Sequence, residues 1–155
     1  MVAGVLGQIL QEIGAKLNLP NLTPDQHDTC LIKFENGIKI QIELDDSNQY
    51  LMLGSVLGSV PLGRYRIDLL EAALKANGLP PPHHGLLAFS KKTDHLLLFA
   101  KFHVRGLRGD EVSDEIPYFL EKAKVWSEAL SRSEVPFIQE VRSTSMTSNV
   151  FGLQR

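Results

Sequence analysis

Residues 29–44 constrain the fold more than any other stretch of the chain. Ile38, Ile40, Ile42 and Leu44 alternate strictly with Lys39, Gln41 and Glu43, the period-two pattern of a strand with one face buried and one face wet. A second strand precedes it from Thr29 to Phe34, and Glu35-Asn36-Gly37 lies between them. A two-residue Asn-Gly turn would set Ile38 opposite Glu35 and Ile40 opposite Lys33. A three-residue loop with Gly37 in the left-handed region instead sets Phe34 opposite Ile38, Ile32 opposite Ile40 and Cys30 opposite Ile42. Only the second register gathers the apolar side chains on one face. The sequence therefore predicts a three-residue hairpin with a bulge at Gly37.

Around this hairpin the remaining elements can be placed by period. Val2 to Leu17 carries apolar residues at helical spacing and ends at Asn18 and Pro20. A third strand, about Gln49 to Leu57, is apolar on both faces, which suits a central or doubly covered position. A helix from about Pro61 to Asn77 has Gly78 as its stop. Its apolar residues fall on two stripes, Ile67, Leu70 and Leu74 on one and Leu69, Ala73 and Ala76 on the other. Strands follow at Gly85 to Ser90 and His95 to Val104. The latter presents Leu96, Leu98, Ala100, Phe102 and Val104 on one face. Its other face reads His95, Leu97, Phe99, Lys101 and His103, an apolar centre with a polar rim, as interfaces often have. A last helix spans about Asp110 to Ser131, with its proper start near Asp114 so that Pro117 falls in the first turns.

The order α-β-β-β-α-β-β-α predicts an α+β domain: three helices and a twisted, largely antiparallel five-stranded sheet over residues 1–132. Residues 133–155, rich in Ser and Thr, are expected to form a mobile tail. A chain of 155 residues with 43% apolar and 22% charged residues can bury one proper core. A net charge of −2 gives no electrostatic footprint for nucleic acid. No apolar run approaches the ~20 residues of a membrane span. The single cysteine, Cys30, and the lack of a signal-peptide pattern predict a cytoplasmic protein.

Little in the sequence points to catalysis. The five histidines (His27, His83, His84, His95, His103) form no zinc-binding spacing. His83 and His84 are adjacent, so on an extended chain they point apart; Asn77 to Gly85 is expected to be a stiff, solvated connector. Gly54-Ser55-Val56-Leu57-Gly58 misplaces its serine for a nucleophile elbow. Cys30 reads as an inert core thiol, and Trp126 as a core residue. What stands out is surplus apolar surface on the first and second helices and the fifth strand, which predicts self-association and an apolar client.

The layout resembles the class I type III secretion chaperones of the Tir chaperone (CesT) type, over about Val2 to Leu130. The likeness is carried by Leu69-Leu70-Glu71-Ala72-Ala73-Leu74-Lys75-Ala76-Asn77 and by Gly85-Leu86-Leu87. It continues through the hairpin Lys92-Thr93-Asp94 into Leu96-Leu97-Leu98, and ends with Ala123-Lys124-Val125-Trp126 and Leu130 in the last helix. The resemblance implies a homodimer whose interface uses Leu69, Ala73, Leu97 and Phe99. It also implies a secreted effector whose non-globular N-terminal segment lies along Leu6, Ile9, Leu10, Ile13, Ile32, Phe34 and Ile40, with strand addition at an exposed edge. The secretion-apparatus ATPase is a further implied partner. No cofactor, metal, nucleic acid or membrane insertion is implied. Two other readings remain open at this point: a YbjN-like adaptor of related fold, and a small hydrolase using His95 or His103.

Overall fold

The computed structural model describes residues 4–139. Val2, at the start of the expected first helix, and residues 140–155 of the expected tail lie outside the described residues. The elements are α1 (Val5–Leu17), β1 (Thr29–Lys33), β2 (Lys39–Leu44), β3 (Tyr50–Ser59), α2 (Arg64–Asn77), β4 (Leu86–Ser90), β5 (His95–His103) and α3 (Gly109–Ser131). This is the α+β order read from the sequence. The five strands form one antiparallel sheet in the order β1-β2-β3-β5-β4.

The first hairpin has the register that the facing argument requires. Cys30 pairs with Ile42 and Ile32 with Ile40, and the Phe34 N–H donates to the Ile38 carbonyl at 2.9 Å. Gly37 takes a φ of 85°, the left-handed conformation that closes the loop without a Cβ penalty. β3 is central, between β2 and β5, but only one of its faces is covered. Leu51, Leu53 and Leu57 are buried, whereas Val56 on the other face is open.

The buried members of the strands, with α1, α2 and α3 packed against them, make one core. Leu10, Ile13, Ile40, Ile42, Leu53, Leu98 and Phe119 are among its most enclosed side chains. α1 is tied to α3 by Glu12, whose Oε2 accepts from the Gly109 N–H at 2.6 Å. That carboxylate occupies the N-terminal end of α3, where unpaired N–H groups and the helix dipole favour an anion. A Cβ at Gly109 would overlap the Glu12 side chain, so the close approach of the two helices depends on glycine there.

Among the boundaries that differ from the sequence reading are the starts of two helices. α2 begins at Arg64 rather than near Pro61, because Gly63 with a φ of 119° interrupts the chain first. α3 begins at Gly109, which places Pro117 inside the helix rather than in its first turns. Pro117 has no N–H for the Ser113 carbonyl one turn earlier. After α3 the chain touches the domain at two points: the Tyr65 hydroxyl donates to the Glu134 carbonyl at 2.8 Å, and Ile138 rests against the core while Phe137 is exposed. Among the described residues no helix is long and apolar enough to cross a membrane.

Candidate binding surfaces

The α1 stripe proves to be core. Leu6, Ile9 and Ile13 are buried and Leu10 is 0% exposed, so none of the four presents a surface to a client. Ile32 and Ile40 are likewise enclosed, each facing the helices from its strand. Of the seven residues expected to touch an effector, only Phe34 is partly accessible. The physical reason is that the helices pack over one sheet face, so the wide apolar arc on α1 is absorbed into the common core with the strands and α3.

On α2 the two stripes divide in the opposite sense to that expected. Leu69 and Ala73 are buried with Ala72 and Ala76, because the small alanines let the helix sit close to the sheet. The free stripe is Ile67, 59% exposed, and Leu74, 73% exposed. Ion pairs Arg64–Asp68 at 3.1 Å and Lys75–Glu71 at 3.3 Å flank it. The two expected interface residues on β5, Leu97 and Phe99, are half-buried and face away from the helices.

That outer sheet face carries an apolar groove. A groove of about 730 Å³ is lined by Leu31, Met52, Val56, Leu97 and Phe99, with Gln41 among its polar margins. Leu31 is 60% and Val56 65% exposed. Gly54 deepens the groove, since nothing lies within 4 Å of where its Cβ would be. Antiparallel sheets with one wet face ordinarily alternate apolar and polar residues; here the middle of the wet face is apolar.

The two edges of the sheet are treated differently. At the β4 edge the Asn77 side chain acts as a substitute strand: its carboxamide donates to the Leu87 carbonyl at 2.8 Å and accepts from the Leu87 N–H at 2.9 Å. At β1 the pairing of Phe34 with Ile38 fixes the alternation, so Thr29, Leu31 and Lys33 direct their backbone groups outward. Thr29 is satisfied by Asp25, whose N–H donates to the Thr29 carbonyl at 2.7 Å. The Asp25 carboxylate accepts from the N–H groups of Thr29 and His27 and from the Thr29 hydroxyl. Those bonds, the Thr29 N–H first, hold the Asp25 carboxyl below its ordinary range. Leu31 and Lys33 have no such partner among the described residues. The open edge therefore adjoins the apolar groove.

The proline loop is a connector, but a pinned one rather than a solvated one. His83 and His84 are half-buried and turn to different partners: His83 Nε2 lies 2.6 Å from the Leu79 carbonyl, and His84 Nδ1 lies 2.6 Å from Glu115 Oε1. The His84 ring stacks on Tyr118 at 4.5 Å. Lys122 Nζ donates to the carbonyls of His83 and Gly85, both at 2.8 Å, and burial lowers its pKa. Among the described residues no group of three or more His, Cys, Asp or Glu side chains is placed to hold a metal ion. Cys30 is buried, and its desolvation raises the thiol pKa, which disfavours the nucleophilic thiolate.

No curated protein sequence matches the chain. Solved structures of similar fold include a chain of the HopA1–SchA chaperone–effector complex. It is 20% identical, with 81% of this chain and 94% of that one covered at a TM-score of 0.60. The Yersinia pestis type III secretion chaperone SycH in complex with a stable fragment of YscM2 gives 16% identity, 78% and 98% coverage, and a TM-score of 0.60. The ExoU–SpcU heterodimeric complex from the type III secretion system of Pseudomonas aeruginosa gives 17%, 81% and 97%, with a TM-score of 0.57. At these identities the likeness is one of fold. A family model covers residues 8–127, from the first turn of α1 to the last turns of α3. By that match, this chain belongs to the Tir chaperone protein (CesT) family.

Proposed function

We propose that the chain is a homodimeric cytoplasmic chaperone for one or more type III secreted effectors. It binds their non-globular N-terminal segment and keeps it soluble and competent for secretion. The observation that carries this reading is the open β1 edge, at Leu31 and Lys33, running beside an apolar groove on the wet face of the sheet. Backbone groups in a row bind another extended backbone irrespective of its sequence, and an adjacent groove takes alternate side chains. Family membership and the chaperone–effector complexes of similar fold support the same reading.

On this reading Phe34 keeps its place in the client path, joined by Leu31 and Ile38. The dimer interface keeps Leu97 and Phe99 on β5, and on α2 it uses Ile67 and Leu74 in place of the enclosed Leu69 and Ala73. No ATP-binding motif is present in the sequence, which suits a chaperone that acts by holding. The test is affinity purification of the tagged chain from a bacterium that carries a type III system, with partners identified by mass spectrometry. A recurring secreted protein, retained through its N-terminal segment alone, is the expected result. A recurring resident cytoplasmic protein bound through its folded domain would contradict it.

A further inference from the structure

The β2–β3 ladder stops early. It runs only from Leu44 opposite Leu51 to Gln41 opposite Gly54, although β2 continues back to Lys39 along β1 and β3 continues forward to Ser59 along β5. The next pair, Lys39 with Val56, is not made, and the sheet opens into a notch there. The Asp45 N–H donates to the Tyr50 carbonyl, so even-numbered β3 residues aim their backbone groups at β2. By the same alternation Lys39 aims its own at β3. No ladder pair joins Lys39 to Val56, so their backbone groups face the notch rather than each other.

A second observation lies at the same place. Ser55, 5% exposed, is the one buried side chain among the described residues whose polar atom has no hydrogen-bond partner, and it lines this groove. A buried hydroxyl left unmet is costly, so it ordinarily has a partner. Here the missing partner and the missing strand coincide.

We infer that the notch is a second strand slot, which takes an extended effector segment between Lys39 and Val56. The slot rests on the effector-binding reading above and specifies its chemistry. A strand placed there meets both walls with its backbone. Its side chains alternate: one kind points inward to the Ser55 hydroxyl, and the next points outward into the hollow over Gly54, between Leu31 and Val56. The inward residue is one that hydrogen-bonds, such as Thr, Ser or Asn, and the outward ones are apolar. Lys39 and Glu43, of opposite charge, both lie on the groove margin, so the slot suits a segment of low net charge.

The test uses two labelled decapeptides of alternating Val and Thr, identical except that one central Thr is replaced by the isosteric Val. Their binding is measured by fluorescence anisotropy, and backbone contact by amide hydrogen exchange. The Thr peptide is expected to bind about fivefold tighter, the scale of one hydrogen bond to a buried hydroxyl. Ser55→Ala should abolish that preference, and exchange should slow at Lys39 and Val56. If the preference survives in Ser55→Ala, the hydroxyl holds a resident water only and the slot is overturned. Slowing confined to Leu31 and Lys33 also overturns the slot, while leaving effector capture at the β1 edge intact. Failure of both peptides to bind overturns the slot as well; the chaperone reading is then judged separately by the purification described above.

Discussion

At the scale of single residues, burial separates side chains that hold the chain together from those that can meet a partner. Leu10 has no accessible surface, so Leu10→Ala should cost about 2–5 kcal/mol of stability through lost burial and the cavity left behind. Urea unfolding would show the drop as a shifted midpoint with an unchanged slope. Client affinity of the folded fraction should be unaltered. Asn77→Ala should be destabilising for a different reason: it strips both partners from the Leu87 backbone at once. The cost expected is about 1–3 kcal/mol, whereas Asn77→Asp keeps the acceptor and should lose less. The helix-ending asparagine was visible in the sequence as part of a family likeness. Its work was not, because a contact between a helix C-terminus and a strand ten residues later leaves no periodic trace.

At the scale of elements, the hairpin was legible down to its register because one rule sufficed: apolar residues must share a face, and a one-residue slip would scatter them. The helices were less legible. Period shows that α2 has two apolar stripes, but choosing the inward one required knowing that Ala72, Ala73 and Ala76 allow a close approach to the sheet. For α1 the width of the apolar arc suggested a second customer, when sheet and α3 together covered it. The parting of β2 from β3 left only a faint trace, Ser55 standing among the inward Leu51, Leu53 and Leu57. The β1 edge yields an unusually clean element-level prediction. The Leu31 N–H points outward, so Leu31→Pro removes no ladder bond, and proline is tolerated in edge strands at such positions. The variant should fold with nearly unchanged circular dichroism yet bind an effector segment at least several-fold more weakly. Unchanged affinity would remove the β1 edge from the client path.

At the scale of the whole molecule, the sheet has helices on one side only, and its bare side is apolar at the centre. A free stripe on α2 adds a second apolar surface. A homodimer is the proposed resolution of part of this exposure, so light scattering should give twice the 17.2 kDa chain mass at micromolar concentration. Ile67→Asp combined with Leu74→Asp, or Phe99→Asp alone, should return the mass to that of one chain, because an unpaired charge in an apolar interface costs several kcal/mol. On the proposed function, a client is held as extended chain on the open part of this sheet. Amide hydrogen exchange on the chain with and without its co-purified effector segment decides this. Slowed exchange is expected at Leu31 and Lys33, together with a bound segment that is unstructured when free. Exchange unchanged along β1 with a client bound, or a client segment already folded before capture, would contradict that reading.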